Sequence, residues 1–215
     1  MTNSSEDHRA GIEAALHLAG TRRWSELNLI DICQEAGRPL EQYYDVSGPG
    51  GLARALEGHL DLQMSAEGCD TDDPARLRLF DVIMLRFEAM EPYRSGLTSY
   101  FEWRDRSVTG LAIRFSARLK TAAWALSCAG LDKSDGVPEG LREAALAWVI
   151  SRAENAWRQE TGPDLSRTMA ALDAELIKAE SRMLSARKLM PQRSASGAGQ
   201  AGDADGSEVS PADPQ

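Results

Sequence analysis

Apolar side chains recur at spacings of three and four along most of the chain, and strand-like alternation is scarce. Gly and Pro fall between these runs rather than at hairpin positions. The pattern predicts an all-α protein. A first helix runs from about Glu6 to Gly20, with Ile12, Ala15, Leu16 and Ala19 on one face. After the link "TRRWSEL", Asn28 is placed to cap a second helix that buries Leu29, Ile30, Ile32, Cys33 and Ala36. Gly37 stops it. Pro39 suits the first turn of a short third helix through Leu40, Tyr43 and Tyr44. "DVSGPGG" reads as a break, and a fourth helix follows from Leu52 to about Ala66.

A second set of helices begins past "EGCDTDDPARL". Asp72 or Asp73 is the expected cap, with Pro74 near the first turn. This helix carries Leu77, Phe80, Ile83, Met84 and Phe87 and ends at Glu91-Pro92. One helix runs through "YRSGLTSYFEW" and another from about Ser107 to Ala129. Beyond the loop "GLDKSDGVPEG" come two long helices, Glu139 to about Glu160 and Leu165 to about Leu189. The pattern divides the chain into a head (1–66), a helical body (67–190) and a tail (191–215). The tail has almost no bulky apolar side chain to offset its ordering entropy, so disorder is expected there.

Charge complicates the picture. The 215 residues carry a net charge of −9. Residues 1–60 hold five Arg against nine Asp and Glu, and the first Lys is Lys120. An acidic chain meets phosphate only if its cations gather on one face. The three cysteines, Cys33, Cys69 and Cys128, are far apart and form no CxxC or Cys/His cluster. They read as free thiols of a reducing compartment, and no metal or cofactor is expected. The N-terminus "MTNSSEDHRA" has no signal-peptide core, and no run of about eighteen apolar residues would span a membrane. A cytoplasmic location is expected. The histidines are scattered, and GxSxG, P-loop and HExxH patterns are missing, so an enzyme is not expected. "GPGG" at 48–51 follows no strand and lacks a Lys, and reads as a turn rather than a phosphate cradle.

The stretch "GIEAALHLAGTRRWSELNLIDICQEAGRPLEQYYDVSGPGGLARALEGHL" resembles the N-terminal domain of the tetracycline-repressor (TetR) family. An Ala-rich first helix, a Trp-containing link, "IDICQEAG" and a Tyr late in the third helix follow in the family's order. The resemblance implies a helix-turn-helix head whose third helix enters the major groove, on a helical ligand-binding and dimerisation body. It places Asn28 and Tyr44 as phosphate contacts, and Arg38, Gln42 and Tyr43 as base or backbone contacts. The sequence departs from the family at Pro39, Ser47 and Gly50, and Glu41 and Asp45 put carboxylates beside the reading element. A weaker similarity, in "RLFDVIMLRFEAMEPYRSG", "AWALSCAGL" and "PDLSRTMAALDAEL", points to the TetR-fold lipid-binding proteins of coenzyme Q biosynthesis. These keep the fold without acting as repressors.

Two functions therefore stand side by side. The first is a ligand-responsive, DNA-binding transcriptional regulator. The second is a lipid-binding accessory protein without DNA binding. For either, Phe80, Met84, Phe87, Phe101, Trp103, Phe115 and Trp124 are candidates to line a pocket for an apolar small molecule or isoprenoid lipid, with ordinary core packing as the alternative. In the last two helices, Trp148, Leu172, Leu176 and Met183 are candidates for a symmetric homodimer interface, with packing inside one chain as the alternative.

Overall fold

The computed structural model describes residues 2–46, 48–132 and 137–189, and among them every regular element is helical. The expected tail lies outside the described residues. Eight α-helices follow one another: α1 (Thr2–Ala19), α2 (Leu29–Ala36), α3 (Gly48–Gln63), α4 (Ala75–Met90), α5 (Arg94–Arg106), α6 (Val108–Cys128), α7 (Glu139–Trp157) and α8 (Ser166–Leu189). Short 3₁₀ turns occupy Trp24–Glu26, Leu40–Val46 and Glu91–Tyr93. None of the helices, over their described residues, is long and apolar enough to cross a membrane.

Several boundaries follow the local chemistry read from the sequence. The Asp31 backbone N–H donates to Asn28 Oδ1 at 2.9 Å, which caps α2. Gly37 takes a left-handed φ of +62° at the other end, and Arg38 N–H donates back to the Cys33 carbonyl at 3.0 Å. Ser107 caps α6 by accepting from Gly110 N–H.

Three expectations fail. The "GPGG" stretch is not a break, because α3 starts at Gly48 and runs through it. Gly51 meets the Val46 backbone and Gly50 meets Thr109 at distances that leave little room for a side chain, so packing overrides their low helix propensity. Neither Asp72 nor Asp73 caps α4; Pro74 occupies that position without a side-chain bond. The third head helix is no α-helix but a 3₁₀ segment with non-helical backbone at Tyr43.

Head and body share one core. α1 packs on α2 and α5, α3 on α4 and α6, and α7 on α8. Trp24, in the head's link, is buried with its ring centroid 4.8 Å from that of Tyr100 on α5. A Cβ added at Gly96 would sit 2.1 Å from the Leu16 carbonyl oxygen, so only a glycine lets α5 come this close to α1.

Candidate nucleic-acid interface and body cavities

The head's outer edge is built around Tyr43. Its backbone leaves helical geometry, and its ring turns inward to 1% exposure beside Gly11 and His8. Tyr43, placed by the resemblance against DNA, is therefore a core anchor. Tyr44 is thrown outward to 83% exposure. Arg38 is exposed just past the Gly37 turn, and Gln42 is half-buried with Oε1 out of solvent. Asn28 is exposed, but its side-chain oxygen is committed to the α2 cap. Ile30, expected on the buried side of α2, is exposed instead, and with exposed Leu40 it lines a shallow 450 Å³ groove on the same side.

Several of the head's cations are already engaged. Arg22 meets Asp31 at 2.7 Å, Arg9 meets Glu13 at 3.8 Å and Arg23 meets Glu26 at 4.0 Å. His17 Nδ1 lies 2.7 Å from Glu35.

Behind the head, α3 carries two buried carboxylates into the body. Glu57 and Asp61 are almost fully enclosed. Arg86 of α4 donates to Glu57 at 2.6 Å and to Asp61 Oδ1 at 3.0 Å. Arg104 of α5 bridges Glu57 at 3.2 Å and Glu154 of α7 at 2.6 Å. Arg118 of α6 pairs with Glu154, Tyr100 donates to Glu57 at 2.8 Å, and Thr121 donates to Asp61 Oδ1 at 2.9 Å. Three guanidinium groups thus face three carboxylates, drawn from five helices. Burial pushes the Glu154 carboxyl up, but Arg118 and Arg104 outweigh it and hold it far below the usual carboxylate range. Glu57 is likewise held low, with Arg86, Arg118 and Arg104 overriding its burial. Arg86 and Arg104 are thus interior ion-pair partners.

The seven aromatic and Met candidates do not surround one cavity. Met84, Phe87 and Phe101 are core, and Phe80 and Trp103 pack partly buried against it. Phe115 is 73% exposed beside Trp148, on the rim of a groove between α6 and α7. Trp124 belongs to a different cavity, between α1, α3 and α6. The body's own cavity, about 310 Å³, lies among α4, α6, α7 and α8. Leu79, Leu126, Leu131 and Leu146 supply its apolar wall, and Arg76 and Arg142 its polar edge. No signal in the sequence separated these leucines from ordinary core.

Of the dimer candidates, Trp148 stands 59% exposed on α7, and Met183 lines the body cavity. Leu172 and Leu176 are spent inside the chain's own core.

Eight α-helices among the described residues, arranged as a capped helix-turn-helix head on a bundle body, have the architecture of TetR-type regulators. Solved structures that share it include two such proteins. A TetR transcriptional regulator from Rhodococcus sp. RHA1 aligns at TM-score 0.54 and 16% identity, covering 80% of this chain and 96% of that one. A TetR-family transcriptional regulator from Streptomyces coelicolor aligns at TM-score 0.54 and 20% identity, covering 86% and 83%. At these identities the likeness is one of fold. No family model matches the sequence, and no curated protein does.

Proposed function

We propose that the protein is a dimeric TetR-type transcriptional regulator that reads duplex DNA and responds to an apolar small molecule. The observation that carries this reading is the helix-turn-helix edge: capped α2, left-handed Gly37, and a 3₁₀ segment anchored by Tyr43 that turns Tyr44 and Arg38 to solvent. Arg38 and Tyr44 suit phosphate or base edges, and the half-buried Gln42 supplies an amide for adenine. The body cavity of about 310 Å³ would take the ligand. Exposed Trp148 on α7, with Ile177 and Leu184 on α8, leaves apolar surface for a second chain.

Residues 1–60 hold five Arg against nine Asp and Glu, and Arg9, Arg22 and Arg23 already lie beside carboxylates, so few phosphates are neutralised. About two per head gives a dimer a slope of log affinity against log salt of about −4. Selection from a random duplex pool at low salt, followed by salt titration, tests this. A palindromic site with that shallow slope is expected. A folded dimer that enriches no duplex would overturn DNA reading.

The second reading, a lipid-binding protein on the same fold, draws on the head's acidity and the apolar cavity wall. Native mass spectrometry of the purified protein decides it, and a chain free of lipid sinks that alternative.

A further inference from the structure

The body cavity among α4, α6, α7 and α8 has a wall of one chemical kind. Leu79, Leu126, Leu131, Val137, Leu146 and Leu176 face it, and its other apolar side chains are Ala, Met and Leu. Among the described residues no aromatic ring lines it, and no Ser, Thr, Asn, Gln or His. The body's rings are used elsewhere: Phe87, Phe101 and Trp157 are buried in the core, and Phe115 stands on another groove. Three charged side chains border the cavity. Arg76 of α4 pairs with Asp173 of α8. Arg142 of α7 donates to the carbonyls of Leu131 at 2.7 Å and Asp132 at 3.1 Å, which ties the chain after α6 to α7 and holds that wall in place. Glu180 and Leu184 of α8 are exposed and mark the open side.

We propose that this cavity takes a neutral, unbranched aliphatic chain of about ten carbons, with any polar end left at the mouth. The inference rests on the reading of this cavity as the ligand site and names the class of ligand; it is independent of whether the head reads DNA. A hydroxyl or amide carried deep into the cavity finds no neutral partner on this wall, at a loss of about tenfold in affinity or more. An aromatic ligand finds no ring to stack on and forgoes what such pairs add beyond buried area. A carboxylate meets Glu180 at the mouth and finds Arg76 already facing Asp173, so a neutral end fits better. Volume sets the length. The cavity of about 310 Å³ holds roughly ten methylene-sized groups, at about the 30 Å³ that a water takes in the liquid. A long isoprenoid lipid leaves most of its chain outside.

Calorimetry with the full chain tests this, using 1-hexanol, 1-octanol, 1-decanol and 1-dodecanol, with decanoate and 1-naphthalenemethanol for comparison. Saturable binding of 1-decanol, one per chain, is expected. Affinity should rise about fourfold per added carbon up to 1-decanol and no further in 1-dodecanol. Decanoate and 1-naphthalenemethanol should bind about tenfold weaker than 1-decanol, or worse. Ala145→Leu on α7 and Ala179→Leu on α8 enlarge half-buried side chains at the cavity with a residue almost as favourable in a helix. Each fills the space of about three carbons, so in whichever variant keeps the original unfolding temperature the plateau should move about three carbons shorter. Gly58→Leu, which narrows the separate cavity between α1, α3 and α6, should leave the series unchanged. Loss of 1-decanol binding in Gly58→Leu overturns the proposal, as does a plateau that stays put in both cavity variants. Equal or tighter binding by decanoate or 1-naphthalenemethanol also overturns it; if the cavity variants weaken that binding, the cavity still stands as a ligand site, for another class. No saturable binding of any probe overturns the ligand reading together with this inference, and leaves DNA reading to the duplex selection.

Discussion

At the scale of single residues, Gly96 and Tyr43 show how the head is held. Gly96 lets the backbones of α1 and α5 touch, so a methyl there must push against the Leu16 carbonyl, which cannot yield as a flexible side chain would. Gly96→Ala is expected to lower stability by about 1–3 kcal/mol or more, read from the urea midpoint. A change within a few tenths would mean that the helices separate freely. Tyr43 was legible as an aromatic of the reading element, but its direction was not. The resemblance sets Tyr43 and Tyr44 both against DNA, whereas the 3₁₀ segment with its kink sends one in and one out. A sequence fixes that split only through Gly11, one helix away, whose bare Cα leaves room for the ring. The two tyrosines therefore part in their effects. Tyr44→Ala should leave unfolding within about 0.5 kcal/mol of wild type, as exposed substitutions do, and weaken duplex binding. Gln42→Ala should relax sequence preference more than general affinity, measured by repeating the selection with each variant.

At the scale of elements, α3 stands out. It is a head helix by sequence order, yet its Glu57 and Asp61 end in the body's ion-pair network. The helical periods, the Asn28 cap and the Gly37 stop were readable because they are local. The network was not, because Glu57 and Glu154 lie 97 positions apart and meet only through Arg104. Nor does one arginine announce that it will be buried: Arg86 and Arg94 look alike in the sequence, but Arg86 is fully enclosed while Arg94 stacks 4.3 Å over the Trp157 ring. The same limit explains the aromatic candidates, which the sequence supplied without saying which were core. Removing one partner from such a network leaves the others buried and uncompensated. Glu154→Gln keeps the shape and an acceptor but takes from Arg118 the carboxylate it pairs with and leaves Arg104 with Glu57 and Asp105 alone. A loss of about 3–5 kcal/mol in denaturant unfolding is expected. A loss below about 1 kcal/mol would show that the arginines find other anions or water.

At the scale of the whole molecule, the network makes stability depend on pH in a direction that can be worked out. Glu57 and Glu154 hold their carboxyls below the ordinary range in the folded protein, through the arginines that surround them. In the unfolded chain the same groups take protons near about pH 4.3. Below that, the unfolded state binds protons that the folded state refuses, so their contribution is full above about pH 5 and is lost as pH falls. Each carboxylate adds a slope of up to about 1.4 kcal/mol per pH unit in that window. His59, lowered mainly by burial, acts earlier: its folded form prefers the neutral ring, so its share begins to fade below about pH 6.5. Tyr100 has the opposite sign. Burial, reinforced by the charge of Glu57, raises its phenol well above the usual value, and stability is lost as pH rises past about 10. Urea midpoints taken across the pH range should show a plateau near neutrality, a shallow fall below about 6.5 and a steeper one below about 5. His59→Gln should remove the shallow step alone. In Glu154→Gln the steep step should shrink, since one depressed carboxylate is gone. An acid limb that stays unchanged in that variant would mean that other carboxylates, not this network, set the acid stability of the fold.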